Sequence, residues 1–283
     1  MVQHRLFWQE VRRLMGSLLL LLGGFYLLLG GYFYVAQEQL LFPGRGISDS
    51  RLEAIRQQHG EVEVTLTADD GTPLHGWLVP GREGGRAPLL IYFGGNAEEV
   101  SGLLERRAEL ATWSLLLINY RGFGRSEGQP GEAALFGDAQ RIYDWAMAHP
   151  ELEPSQVVAW GRSLGSGVAI HLAATRKLDG VLLVTPYDSI QAVAGHHYPW
   201  LPVGLLLRHP FDARSQAATF ELPLLTLAAE KDRIIPPGHA VALHQVWPGD
   251  QQRLVILPEV GHNNLQYHPD YWQHIHRFLA DQL

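Results

Sequence analysis

The sequence predicts an α/β domain with a mostly parallel central sheet and helices on both faces. Three observations carry that prediction. Short, continuously apolar runs recur along the chain, helical patterns lie between them, and the one clear pair of alternating strands comes at the front. Continuous apolar runs suit strands buried on both faces, as a helix-covered parallel sheet requires. Strand–helix alternation is the pattern of that architecture.

In chain order, residues 61–67 alternate polar and apolar with period two and read as a half-exposed strand. Asp69-Asp70-Gly71 is a turn signal, and residues 74–80 return as the antiparallel partner at one edge. Residues 81–86 form a loop of glycine and charge. The buried runs follow at 89–93, 114–119, 157–160, 181–185, 224–228 and 253–257. Helical patterns separate them over 97–112, 132–149, 166–176, 238–246 and 270–283. The last of these places Tyr271, Trp272, Ile275, Phe278 and Leu279 on one face. Segment 190–221 interrupts the alternation with a proline-broken apolar stretch around Tyr198-Pro199-Trp200-Leu201-Pro202. It reads either as a short lid over a pocket or as a plain packed helix.

The first residues are a different material. Residues 14–36 carry no charge and, at about 1.5 Å per residue, would span roughly 34 Å as a helix, enough for a bilayer core. Tyr32, Phe33 and Tyr34 stand at the far end, where an aromatic belt is expected, and Arg5, Arg12 and Arg13 precede the span. The basic flank favours a cytoplasmic N-terminus and a non-cytoplasmic (periplasmic or equivalent) body, a modest signal because Arg45 and Arg51 soon follow. A cleaved signal peptide is the rival reading. It is disfavoured because the apolar run exceeds the usual 7–15 or so residues and no small-x-small site precedes Gln37. The expected organisation is a tail (1–13), a transmembrane anchor (14–36), a connector (37–60) with an amphipathic stretch at 48–58, and one domain (61–283) containing the 190–221 segment.

Composition narrows the function. The 283 residues are 46% hydrophobic and 18% charged, which allows a sizeable core, and the net charge of −7 comes with no basic patch of the kind nucleic acid requires. There is no cysteine, hence no disulfide framework, thiolate nucleophile or cysteine metal site. Histidines at 196, 197, 209, 274 and 276 lack carboxylates at matched spacing for a metal.

The chemistry centres on Gly161-Arg162-Ser163-Leu164-Gly165, which joins the 157–160 strand to the following helix. A serine on a tight strand-to-helix turn has its hydroxyl pushed outward, and small neighbours relieve the crowding. A serine hydroxyl needs a base, and the base needs a third group to orient it. In a parallel sheet these groups sit at the carboxyl ends of strands, here in the order serine, acid, histidine. Asp232 follows the 224–228 run, and His262 follows the 253–257 run. They are the expected acid and base, with Glu230 as the alternative acid. An oxyanion hole is expected from the backbone N–H of Leu164 and that of Asn96, with Gly95 the alternative, in Gly94-Gly95-Asn96-Ala97 after the 89–93 strand.

These residues, together with Asn119-Tyr120-Arg121-Gly122-Phe123-Gly124-Arg125-Ser126-Glu127-Gly128, closely resemble the alpha/beta-hydrolase superfamily, and within it the single-pass, membrane-anchored serine hydrolases of the alpha/beta-hydrolase-domain type. Eukaryotic members of that broad group include protein depalmitoylases. The resemblance covers Gln37 onward and also rests on Tyr198-Pro199-Trp200-Leu201-Pro202-Val203 with Leu205-Leu206-Leu207-Arg208. It departs at Gly94, where relatives usually carry histidine. It implies the alpha/beta-hydrolase fold and cleavage of carboxylic esters or thioesters, with no metal or organic cofactor. A lipid-like or small-molecule acyl substrate is the expected partner. A peptidase on the same machinery and a catalytically silent binding protein are the alternatives. Arg121 is expected to brace the loop beside the site rather than to touch substrate.

Overall fold

Alternate residues of the central strands point to opposite sides of one sheet, and each side carries its own core. Leu89, Ile91 and Phe93 join one cluster, while Leu90 and Tyr92 join the other. Val157 and Ala159 part from Val158 and Trp160 in the same way. Both faces being apolar is why these runs show no polar alternation in the sequence.

The computed structural model describes residues 2–60, 62–84 and 86–281. Met1 of the expected tail, Glu61 at the start of the expected first strand, Gly85 and residues 282–283 of the expected last helix lie outside the described residues. The chain begins with α1 (Val2–Leu41) and α2 (Asp49–His59), then β1 (Glu63–Thr67), β2 (Pro73–Val79) and β3 (Leu89–Phe93). A 3-10 helix (Val100–Leu110) leads to β4 (Ser114–Ile118), α3 (Glu132–Ala148), β5 (Val157–Arg162), α4 (Leu164–Thr175) and β6 (Gly180–Val184). Three short helices follow, α5 (Ile190–His197), α6 (Val203–Leu206) and α7 (Ala213–Ala217). The chain closes with β7 (Leu224–Ala229), α8 (Pro237–His244), β8 (Gln252–Leu257), a 3-10 turn (Leu265–Tyr267) and α9 (Tyr271–Asp281).

The strands form one eight-stranded sheet in the order β1-β2-β4-β3-β5-β6-β7-β8. β2 runs antiparallel to both β1 and β4, and the remaining neighbours are parallel. Helices α3, α4, α7 and α8 cover one face through Leu135, Val168, Ala213 and Leu243. Helix α2, the first 3-10 helix and α9 cover the other through Leu52, Leu104 and Ile275. This is the alpha/beta-hydrolase fold. Strand order reverses around β3, with β4 on one side and β5 on the other, and such a switch point opens a crevice at the carboxyl ends of the strands. Phe93 pairs with Gly161 across it, so the loop after β3 and the turn after β5 leave the sheet side by side.

Three elements differ from the sequence expectation. The 97–112 helix is a 3-10 helix that starts only at Val100 and kinks at Arg106. Side chains compete for its first turn: Asn119 Oδ1 accepts the Val100 N–H at 3.1 Å, and Glu99 accepts the Ser101 N–H at 3.3 Å. Helix α1 runs through both ends of the expected 14–36 span, taking in residues 2–13 and the start of the connector as one 40-residue helix, about 60 Å long. Its length and apolar composition suffice to cross a membrane, and none of its most apolar window is buried. The 190–221 segment divides in two. Helices α5 and α6 lie over the end of α1 and leave Trp200 and Leu205 exposed, whereas Phe211, Ala213 and Ala217 are fully buried in the core. The first half lines a cavity beside Ser163, and the second packs into the core.

The carboxyl end of α1 is tied to this first half. The buried Gln37 side chain donates to the Leu206 carbonyl at 3.0 Å and accepts the Arg208 N–H at 2.7 Å. Higher on the helix, the Tyr26 hydroxyl donates to the Trp200 carbonyl at 2.9 Å.

Candidate active site

Strand β5 runs directly into α4 with Ser163 as the only residue between them, the strand ending two residues later and the helix starting two residues earlier than the sequence pattern indicated. That junction forces Ser163 to φ 51°, ψ −117°, a left-handed conformation costing about 1–3 kcal/mol for a residue with a side chain. Its surroundings over-determine it. Ser163 N–H donates to Val184 O at 2.9 Å, and Ser163 O accepts from both the backbone N–H (2.9 Å) and the hydroxyl (2.7 Å) of the buried Ser166. A Cβ at Gly161 would lie 2.6 Å from Ser166 Cα, and one at Gly165 would collide with the Phe93 carbonyl of β3. Both flanking glycines are therefore demanded by the backbone packing.

The turn aims Ser163 Oγ at His262, which follows β8, with Oγ 2.9 Å from Nε2. His262 Nδ1 lies 2.7 Å from Asp232 Oδ2, which follows β7. A carboxylate here only accepts, so Nδ1 carries the proton and Nε2 is left to accept from the serine hydroxyl. The other Asp232 oxygen accepts the N–H groups of Ile234 (2.9 Å) and Ile235 (2.8 Å), which fixes the plane of the carboxylate. All three residues are buried. Glu230 is exposed and accepts the Glu259 N–H at 2.9 Å, so it stands outside this chain of contacts.

The two residues expected to supply the oxyanion donors, Leu164 and Asn96, line one cavity together with Ser163. Leu164 N–H is in the first turn of α4, where helical N–H groups have no internal acceptor. Among the described residues, neither it nor Asn96 N–H has a hydrogen-bond acceptor. Gly95 N–H, by contrast, donates to Glu98 Oε2 at 2.9 Å.

Glu98 and Arg162 are the residues that sequence reasoning missed. Glu98 accepts the Gly95 N–H, the Tyr92 hydroxyl at 2.6 Å and an Arg162 guanidinium N–H at 2.9 Å. Arg162 in turn reaches the His262 loop, donating to Asn263 Oδ1 at 3.3 Å. One ion pair thus clamps the loop carrying Asn96 to the loop carrying His262. Burial opposes the Arg162 charge, but Glu98 together with Tyr92 and Tyr271 offsets it and holds the guanidinium above its ordinary pKa. Burial, reinforced by Glu98, pushes the Tyr92 hydroxyl well above the usual tyrosine range, so it stays a donor. The signal in the sequence was an arginine beside the serine and a glutamate three residues after Gly95, a pair with no local pattern.

The 119–128 stretch braces this site from below. Asn119 Nδ2 donates to Glu99 at 3.0 Å, and the Tyr120 hydroxyl donates to Gly94 O at 2.9 Å. Arg121 forks onto Asp138 with two 2.7 Å contacts and also pairs with Asp70. It is a brace, as expected.

Two cavities meet at Ser163 and Asn96. A polar cleft of about 810 Å³ holds His262, Arg162, Arg45, Arg51 and Glu99 in its walls. A smaller space of about 400 Å³ is lined by Leu164, Leu41, Ile190, Val193 and Ile235. A serine, histidine and aspartate in one chain of contacts, beside two residues whose backbone N–H groups have no acceptor among the described residues, form an arrangement suited to acyl transfer.

Comparison with known proteins agrees with the architecture. Residues 141–281 match the serine hydrolase family, a stretch that includes Ser163, Asp232 and His262. An uncharacterised protein of Mycobacterium tuberculosis is 34% identical over 208 residues, 71% of this chain and 72% of its own. An uncharacterised membrane protein of Saccharomyces cerevisiae is 28% identical over 227 residues, covering 78% and 80% of the two chains. Among solved structures, an esterase of Pyrococcus furiosus superposes with a TM-score of 0.67 at 15% identity, over 86% of this chain and 98% of its own. By fold and by relationship, the chain belongs to the alpha/beta-hydrolase superfamily and is a hydrolase.

Proposed function

We propose that this protein is a membrane-anchored serine hydrolase that cleaves carboxylic esters or thioesters through an acyl-enzyme. The observation that carries the reading is the unbroken contact chain from Ser163 Oγ through His262 to Asp232, with distances of 2.9 and 2.7 Å. Ser163 Oγ attacks the acyl carbon while His262 Nε2 takes its proton. The carbonyl oxygen becomes an anion received by the Leu164 and Asn96 N–H groups, each good donor worth about 3–4 kcal/mol in the transition state. The bond to the leaving oxygen or sulfur then breaks, and His262 gives that atom the proton. Water repeats the sequence: His262 deprotonates it, the new hydroxyl attacks the acyl carbon, and Ser163 leaves with the proton as the free acid is released. Asp232 holds His262 in the productive tautomer throughout.

The anchor reading is supported by α1. Leu18, Leu20, Leu21, Leu27 and Leu28 are all more than half exposed, an arrangement unfavourable in water and favourable in lipid. The yeast relative's description as a membrane protein points the same way. The basic flank before the span supports a cytoplasmic N-terminus and a non-cytoplasmic body.

The test is hydrolysis of short acyl esters and thioesters against aminoacyl amides by purified full-length protein. The proposal expects ester and thioester turnover that Ser163→Ala abolishes. Preferential cleavage of the amides would favour the peptidase reading. Absence of any turnover by the wild type would favour a silent binding protein.

A further inference from the structure

The two cavities at Ser163 differ in a way that assigns the two halves of a substrate. His262, which must hand its proton to the leaving group, is in the wall of the polar cleft and not of the apolar space. The leaving group therefore departs into the cleft among Arg45, Arg51 and Arg162. The acyl chain, on the other side of the carbonyl, is directed into the space lined by Leu164, Ile190 and Ile235.

That space does not end in the core. Leu40, Leu41, Ile190, Ala194 and Tyr198 also line an adjoining apolar groove of about 280 Å³, which continues along α1 to Phe33 between α1 and the α5–α6 segment. Its outer end is surrounded by apolar surface. Trp200 is 47% and Leu205 86% exposed. Aromatic contacts pin this segment to the anchor helix: Phe33 lies 5.1 Å from Tyr198 and 6.2 Å from Trp200 between ring centroids. The mouth of the groove thus opens beside the part of the chain proposed to lie in lipid.

Resting on the serine hydrolase reading above, we infer that the substrate's acyl group is a long aliphatic chain that lies between the anchor helix and the α5–α6 segment, entering from the bilayer while its polar leaving group stays in the cleft. The anchor helix is then a wall of the binding site as well as a tether, and Leu40 and Ala194 help set the accepted chain length. Each methylene buried in the groove raises kcat/KM by roughly up to fourfold until the groove is full.

The experiment uses full-length protein in phosphatidylethanolamine–phosphatidylglycerol vesicles. It compares kcat/KM for p-nitrophenyl laurate and p-nitrophenyl butyrate in the wild type, Ala194→Trp and Leu40→Trp. The indole in either variant occupies the shared stretch of the groove, and the laurate-to-butyrate ratio is expected to fall at least tenfold. Leu40 is 53% exposed, so Leu40→Trp keeps the test open if Ala194→Trp fails to fold. A ratio within twofold of wild type, with butyrate cleaved and Ser163 labelled by a fluorophosphonate, overturns the groove assignment alone. If the wild type cleaves neither ester and the fluorophosphonate labels Ser163→Ala as readily as wild type, the hydrolase reading falls and takes the groove with it.

Discussion

The turn at Ser163 and the junction between α1 and the α5–α6 segment lie on either side of the same apolar space, yet they are held in opposite ways. At the turn, backbone holds backbone: Val184 O accepts the Ser163 N–H, Ser166 N–H donates to Ser163 O, and the Phe93 carbonyl leaves no room for a side chain at Gly165. At the junction, half-exposed aromatic rings and a few hydrogen bonds from Gln37 and Tyr26 join surfaces about 170 residues apart in sequence. Chemistry that depends on sub-ångström placement sits on the first kind of structure. The segment proposed to meet substrate and membrane sits on the second, where local opening costs less.

The largest effect that would break this contrast is at the turn. Gly165→Val drives a side chain into the β3 carbonyl and is expected to destabilise the fold by more than about 3 kcal/mol in urea unfolding. A loss under about 1 kcal/mol would mean the turn is not over-determined. Ser163→Ala keeps the fold and is expected to lower kcat by about 10⁴–10⁶ on any cleaved ester, with an unchanged unfolding midpoint as the control. Asp232→Asn preserves the contacts' shape but offers His262 the wrong partner, with an expected loss of about 10⁴ in kcat.

Smaller effects sharpen the comparison. Glu98→Gln weakens the clamp between the two loops, and a fall of about 10-fold in kcat with little change in KM is expected, because the proposed oxyanion donors would act in the transition state. At the junction, Gln37→Leu leaves the Arg208 N–H without its acceptor, a cost of about 1–3 kcal/mol. It should appear as faster amide hydrogen exchange over 198–208 with 157–170 unaltered. Acid should act there too. Burial holds the His209 imidazole below its ordinary pKa, and its Nδ1 accepts the Glu132 N–H at 3.3 Å. The unfolded chain binds that proton first, so this stabilisation is present above about pH 6.5 and is lost as pH falls through the window down to the depressed folded value. The protection factor over 203–213, which divides out the slower intrinsic exchange in acid, should therefore fall below about pH 6.5, and the fall should shrink in His209→Gln.

The same contrast marks what could be read from the sequence. Residues 89–93 were legible as a strand because both sheet faces are apolar, and the contacting Ser163, Asp232 and His262 could be singled out because each follows such a run at the same sheet edge. The glycines beside Ser163 carry a steric demand that is local in sequence. Glu98 and Arg162 stand 64 residues apart, and a charged pair formed across two loops has no periodic signature. The early helix at 97–112 gave way to a shorter 3-10 helix because Asn119, nineteen positions on, captures its first N–H. The docking of α1 was hidden for the same reason: Tyr26 meets Trp200, and Gln37 meets Leu206 and Arg208, only after the sheet has assembled.

The central claim is that Ser163 is the nucleophile, driven by His262. Mass spectrometric mapping of the adduct formed by a fluorophosphonate on the full-length protein tests it most directly. A single adduct on the peptide bearing Ser163, absent in Ser163→Ala and formed at least about 100-fold more slowly in His262→Ala, is the predicted result. An adduct on another residue, or ester turnover that survives Ser163→Ala, would contradict it.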